Sequence, residues 1–537
     1  MRWIERGLIA LLAFPVLGLV WQAIGGMSQA SPFAGWQFLF AEPALVQSIC
    51  LSVSVAMASL AGALWLSRLL SFYLLQNSDR VRLQAVMLSM PHSAFALGVL
   101  LYFGANGVLI RWLASAWPEL ASVDYLFPRD LFGLGALLVL ILKESVFLTL
   151  LAIPLAKRLP LDASFRLAQE SGWSDWSAWR ILIWPQLRRL LHAPILVVFA
   201  FSMTNLEVAV ILGSDQVPFY AVRALRWLLD PDPIAQQAGA SAVLGMLLAL
   251  MIISRMLLVC DRGLRHAVPK RIHTRAWYLR GLSQSAGILL MAAVTGLALW
   301  AVAGYWPVTA AWPTVNAASV ARLVSNVDVW WTTLWIGLLV ATLAIGLSVV
   351  WLEWMVARRI THLSWVWWAL LWMPSLPLSA GLLGWVYVLG LSPGPLAVIL
   401  GHLLLAWPYT LVVLSDAWLH RPESERILVA QSGLSQWSAL WHVWLPKHSV
   451  SVLAAFAVAF AVSLSLYTQT LLLGGGRVET LITELVVNLS GDRRSAASFA
   501  LLNTLMPWIV FMITAWIGRR LWRHRRGMQG GIHAATS

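Results

Sequence analysis

LAQESGWSDWSAWRILIWPQ occupies residues 167–186, and LVAQSGLSQWSALWHVWLPK occupies residues 428–447. Aligned without a gap, they share Leu167/Leu428, Ser171/Ser432, Gly172/Gly433, Ser174/Ser435, Trp176/Trp437, Ser177/Ser438, Ala178/Ala439 and Pro185/Pro446, every pair 261 positions apart. Each copy is a moderately polar stretch between apolar runs of about 20 residues, the length a helix needs to cross roughly 30 Å of hydrocarbon. The chain therefore carries an internal duplication.

The surrounding composition sets the class. Of 537 residues, 60% are hydrophobic and only 11% charged, with mean hydropathy +0.76. A soluble protein of this size needs a charged surface that this chain lacks. The reading is an all-α polytopic membrane protein. Spans are expected near 7–25, 46–70, 86–107, 131–156, 191–212 and 240–260, then near 281–304, 329–351, 366–390, 394–415, 449–473 and 499–518. The basic start and apolar middle of the first 25 residues are signal-like. No small-x-small cleavage site follows promptly, and the repeat needs this helix, so it is read as an uncleaved first span.

The net charge of +14 could point to nucleic acid, but its distribution excludes that partner. With the N-terminus in the cytoplasm, 28 of the 37 lysines and arginines fall in cytoplasmic segments and 8 in outer ones, with Lys143 inside a span. That asymmetry satisfies the positive-inside rule and places both repeated loops and both termini in the cytoplasm. Cys50 and Cys260 fall in expected spans, which leaves neither a disulfide framework nor a zinc site. The 33 tryptophans fit interfacial belts.

The duplication extends past the loops. Met90-Pro91 and Gly98 in the third span match Met373-Pro374 and Gly381 in the ninth, and Gly213 and Gly474 close the fifth and eleventh. Two halves with six spans each share one orientation, a parallel repeat about an axis along the membrane normal. The expected division is a first half over 1–262, a cytoplasmic linker over 263–280, a second half over 281–522 and a cytoplasmic tail over 523–537.

Within the first loop, Leu167 to Ser171 can form a helical turn that Gly172 ends at positive φ. Ser174 or Asp175 can cap a second short helix. Trp173, Trp176 and Trp179 give that helix an apolar stripe, and Pro185 fits a first helical turn. Gly433, Ser435, Trp437 and Pro446 repeat the plan. Two such loops on one face offer equivalent docking points to a two-fold partner. The plainer alternative is a pair of interfacial helices that merely cap the bundle.

A glycine followed thirteen residues later by proline, between the fourth and fifth spans of each half, resembles the EAA loop of bacterial ABC importer permeases. Two such loops in one chain resemble the fused permeases of thiamine and ferric-iron import systems. The resemblance implies a coupling helix seated in a groove of a separate ATP-binding subunit. It carries over to Ala168, Gly172 and Pro185, and to Gly433, Leu445 and Pro446. The docking loops are then Ala168, Gln169, Glu170, Ser171, Gly172, Trp173, Ser174, Asp175 and Pro185, and Gln431, Ser432, Gly433, Leu434, Ser435, Gln436, Leu445 and Pro446. The family's glutamate six residues before the glycine is Arg166 in one copy and Ile427 in the other, and its leucine before the first proline is Trp184. Glu170 or Gln431 could take the glutamate's role.

The resemblance further implies a non-enzymatic subunit of the bacterial inner membrane. Two copies of an ATPase would hold ATP and Mg, and the chain itself would need no cofactor. A periplasmic binding protein would meet outer loops bearing Asp124, Asp130, Asp215, Asp230, Asp232, Asp328, Glu479, Glu484 and Asp492. Thiamine or a related organic cation is the first substrate expectation and ferric iron the second, with polyamine or sulfate behind them.

Charges at membrane depth cost several kcal/mol and mark pathways, which singles out Lys143, Glu144 and Glu207, with Asn205 and Tyr467 beside them. The structural alternative is a neutralised pair or snorkelling. Tyr387, Tyr409 and Tyr467 could face a cation, although packing is the commoner role for single tyrosines in spans. His402 reads as an interhelical hydrogen-bonding group rather than a metal ligand. Gly213, Gly474, Gly475 and Gly476 form a candidate outer gate; no Lys-Ser/Thr follows them, so they are not a phosphate loop. GLSPG at 390–394 meets a hydrolase pattern but lies in a tight outer turn. Asp79-Arg80 lacks the glycines of the facilitator motif, and neither HExxH nor a Walker A pattern occurs. The rival reading is an ion-coupled 12-span carrier using Glu144 or Glu207 as its proton site.

Overall fold

The computed structural model describes residues 2–26, 31–77, 89–122, 125–263, 276–321, 325–360 and 363–523. Asp79-Arg80, Asp124, most of the expected linker (264–275) and the tail from 524 lie outside the described residues, as does the side chain of Cys260. Among the described residues all regular structure is helical. Among the described residues nine helices are long and apolar enough to cross a membrane, and counting each of three bent pairs as one crossing gives up to twelve.

The expected spans fall on Arg2–Ala23, Leu45–Gln76, His92–Phe103 with Val108–Ala116, Leu134–Ala156, His192–Thr204 with Leu206–Leu212, and Pro233–Gly263. They continue on Ala276–Val302, Val327–Ala357, Trp365–Trp372 with Ser375–Val388, Pro395–Leu419, Ser449–Leu464 with Tyr467–Gly474, and Arg493–Arg523. Several helices outrun their apolar runs, the second to Gln76 and the eighth to Ala357, because a helix can continue into water after the hydrocarbon ends.

Three spans differ from the expectation of single rods. The ninth is two helices meeting at 91°. Pro374 has no N–H, and its ring forces Met373 out of helical backbone (φ −61°, ψ 117°). Pro91 stands in the same place before His92–Phe103. The fifth and eleventh spans break at Asn205 (φ −67°, ψ 96°) and Leu466 (φ −88°, ψ 71°), again 261 positions apart. No proline or glycine announces these breaks. Asn205 compensates by capping the next segment, its Oδ1 accepting the Val208 N–H at 2.7 Å.

The first span of each half packs on the third span of the other. A side chain on Gly18 would collide with the Gly381 carbonyl, and one on Gly381 with the Pro15 carbonyl. Gly98 and Gly296 hold the second seam in the same way. Lipid removes the hydrophobic drive between helices, so such close backbone approach is what binds them.

Candidate functional site

Both repeated loops adopt one design. In the first, Leu161–Glu170 ends in a Schellman turn: Gly172 sits at φ +72°, its N–H reaches the Gln169 carbonyl at 2.9 Å, and the Trp173 N–H reaches Ala168 at 2.8 Å. Ser174, not Asp175, caps the following turn, its Oγ accepting the Ser177 N–H at 3.3 Å. Asp175 instead accepts a bond from the Gln169 side chain at 3.0 Å. In the second, Gly433 repeats the positive φ (+71°) and Ser435 repeats the cap, with a Ser438 N–H to Ser435 Oγ bond of 3.1 Å.

A π-turn follows in each copy, Trp179–Ile183 and Leu440–Trp444, ending where Trp184-Pro185 and Leu445-Pro446 begin a new helical turn. A proline cannot donate to the preceding turn and crowds its carbonyls, and the wider π-turn accommodates both defects. The helix then turns through 71° into His192–Thr204 in the first half and through 81° into Ser449–Leu464 in the second. Each loop is thus joined to its fifth-type span by a short bent lever.

The turns project into open space. A Cβ on Gly172 or Gly433 would meet nothing within 4 Å. Gln169, Glu170, Ser171 and Ser174 are exposed with Gly172, as are all residues from Gln431 to Gln436. Ala168 is buried, while Trp173, Asp175, Pro185, Leu445 and Pro446 are half-buried.

Anchorage differs between the copies. Trp176 and Trp179 lie inside the first half, 5.3 and 5.9 Å from the Phe72 ring, and Trp179 Nε1 donates to the Arg68 carbonyl at 3.0 Å. Trp184, in place of the family's leucine, joins this cluster 6.3 Å from Trp179. Of the expected stripe, Trp176 and Trp179 are therefore a buried anchor, while Trp173 stays half-buried. Trp437 and Trp441 instead remain 66% and 53% exposed, 5.7 Å from one another.

The second loop is held by Arg421, whose guanidinium lies 4.4 Å from the Trp418 ring and 4.3 Å from the Trp444 ring. Arg421 also donates to Glu353 at 2.7 Å, and the same oxygen accepts Trp418 Nε1 at 2.9 Å. Burial, with Arg421 and Lys447 nearby, presses the neighbouring His448 down to about 4, so His448 adds no charge to the joint at neutral pH. Lysine would keep the charge at 421 but lose the planar stack. Arg421→Lys is therefore expected to weaken the second loop's seat by on the order of 1–2 kcal/mol. Faster proteolysis at 423–447, with 158–190 unchanged, is the measurement that checks it.

A cavity of about 420 Å³ lies between the halves, walled by residues of the third, fourth and fifth spans and of the ninth to twelfth. It brings together Lys143, Glu144 and Glu207 from the sequence reading; Asn205 and Tyr467 are not in its wall. Lys143 Nζ donates to the Met90 carbonyl, and Glu144 Oε1 is 3.1 Å from His92 Nε2. His92, whose ring lies 4.7 Å from that of Phe201 and tilted 56° to it, was not singled out by sequence; its place directly after the Met-Pro break was the available signal. Glu207 Oε1 accepts the Tyr467 backbone N–H at 3.3 Å, so Tyr467 contributes main chain rather than its ring. Tyr409 lines the wall and Tyr387 is exposed elsewhere. His402 bridges Ser463 (2.9 Å) and Thr470 (3.0 Å), the interhelical role expected of it.

On the side away from the loops, the short segments Leu206–Leu212 and Tyr467–Gly474 touch one another. Their ends are Gly213 in extended backbone and Gly474, followed by Gly475 (φ +55°) and Gly476 (φ +73°). Among the described residues no group of three or more His, Cys, Asp or Glu side chains could hold a metal.

No family model matches the sequence. Across 97% of both chains it is 32% identical to the inner membrane ABC transporter permease protein YnjC of Escherichia coli K12. The chain is an ABC transporter permease. The permease is also 26% identical to the thiamine transport system permease protein ThiP of Escherichia coli K12, over 94% of this chain and 93% of that one. ThiP of Brucella abortus is 25% identical over 81% and 79%. These relatives are transport permeases rather than enzymes, and the permease, like YnjC, belongs to the inner membrane.

Proposed function

We propose that this permease is the solute-conducting subunit of an ATP-driven importer for thiamine or a closely related organic cation. Two copies of a separate ATPase dock on the turns around Gly172 and Gly433 and perform the hydrolysis. A periplasmic binding protein delivers solute from the opposite side, and both termini face the cytoplasm. The observation that carries the reading is the pair of exposed loops at one sequence offset, each levered to a broken cavity-lining span. Closing the ATPase dimer draws the loops together, turns the fifth and eleventh spans, and parts the two short segments beyond the cavity.

Thiamine is favoured over ferric iron by the ThiP relatives and by the cavity chemistry. A hard trivalent ion wants several free oxygen ligands. Here Glu144 is paired with His92 and Glu207 is held by backbone N–H groups. The test is uptake into vesicles bearing the permease, its ATPase and its binding protein. The expected result is ATP-dependent thiamine uptake that vanadate stops and an uncoupler spares. Uptake that collapses with the uncoupler and ignores vanadate would establish the ion-coupled carrier instead.

A further inference from the structure

Gln469 is fully buried in the cavity wall, in the short segment after the eleventh-span break. Its Nε2 donates to the Ser375 carbonyl at 3.4 Å, while its Oε1 has no hydrogen-bond partner. A buried amide oxygen left unpaired is costly, and native structures keep few of them without a reason. An N–H donor brought in by a solute would satisfy it.

The charged side chains of the same cavity wall are unequal in number. Two carboxylates, Glu144 and Glu207, face one ammonium, Lys143. Lys143 donates to the Met90 carbonyl and Glu144 pairs with His92, so both are engaged within the protein. Glu207 takes backbone N–H groups of Tyr467 and Ser93 at the starts of two helices, one from each half, where helix dipoles favour a carboxylate. That arrangement occupies the two positive helix ends that would otherwise attract an anionic solute, and leaves two carboxyl groups against one amine in the cavity wall. Five aromatic rings complete the wall: Phe147, Phe201, Trp372, Tyr409 and Phe511. Aromatic rings attract a desolvated cation. The volume suits a small molecule rather than an ion.

We infer that the cavity is a recognition site for a compact, flat organic cation bearing an N–H donor, with Gln469 Oε1 receiving that donor and Glu207 supplying the counter-charge. The permease then selects its solute a second time, after the binding protein has released it. This rests on the reading of the cavity as the solute path.

The test uses the permease–ATPase complex in lipid nanodiscs, without binding protein. The probes are labelled thiamine and its analogue in which the ring amino group is replaced by oxygen. Wild type is expected to bind thiamine about tenfold more tightly than the analogue, the scale of one well-placed hydrogen bond. Gln469→Leu should erase that preference, and Glu207→Gln should weaken both ligands about tenfold or more. Gln469→Glu, which keeps an acceptor, should retain thiamine. Co-purification of the ATPase with each of the three variants shows that the complex is assembled. Wild-type affinity in Gln469→Leu and Glu207→Gln, with thiamine uptake into vesicles intact, overturns the site but leaves the importer standing. Absence of ATP-driven uptake by wild type overturns the importer and the site together.

Discussion

Replacing Gly172 and Gly433 together by aspartate is expected to abolish ATPase association and to lower ATP-driven uptake by about 100-fold or more, while the chain still inserts and folds. Both glycines hold positive φ, and a Cβ at either meets open space. Aspartate is among the residues that tolerate left-handed backbone, so the turns themselves survive. The damage lies in the partner's groove, where an unpaired buried carboxylate costs about 3–5 kcal/mol. Two such losses exceed what a docking interface can absorb. Asparagine at both positions separates the causes, since it keeps the shape without the charge and should retain most association. Co-purification with the ATPase and vesicle uptake read the outcome. A doubly substituted permease that still pulls down its ATPase would remove the docking assignment.

The second large effect concerns anchorage. Trp179→Ala should destabilise the first half by about 3–5 kcal/mol, the usual cost of emptying a fully buried tryptophan site. Its ring is 0% exposed, packs on Phe72 and gives Nε1 to the Arg68 carbonyl. Trp437→Ala, at the position matching Trp176, should change stability by no more than about 0.5 kcal/mol, as exposed substitutions do. Thermal unfolding of the purified permease should therefore fall by several degrees for Trp179→Ala and stay put for Trp437→Ala. If the two variants unfold alike, the difference in seating between the loops is wrong.

The parts of this architecture readable from sequence are those where residue type dictates backbone. Gly172 and Gly433 announce positive φ, Ser174 and Ser435 announce caps, and the apolar runs announce helices in lipid. Pro374 was read only as part of the duplication, and the 91° bend that follows it depends on how the two helix pieces pack. The breaks at Asn205 and Leu466 were invisible because ordinary residues adopt them only when tertiary contacts, such as the Asn205 cap on Val208, compensate. The π-turns were hidden likewise, although Pro185 and Pro446 cause them. At the candidate site, Lys143, Glu144 and Glu207 stood out as charges in apolar runs. His92 and Gln469 did not, because one polar residue in a span says nothing of whether its atoms are satisfied. The buried seat of Trp176 and the exposure of Trp437 share one motif letter, and only their neighbours separate them.

The exchanged opening helices, Gly18 against Gly381 and Gly98 against Gly296, bear on how the molecule comes into being. A ribosome releasing the chain from its start inserts six helices whose third member still lacks its companion, and an opening helix whose resting place has not been synthesised. Neither half can reach its final packing until the other has entered the bilayer, so maturation is a single late event that one continuous polypeptide makes intramolecular.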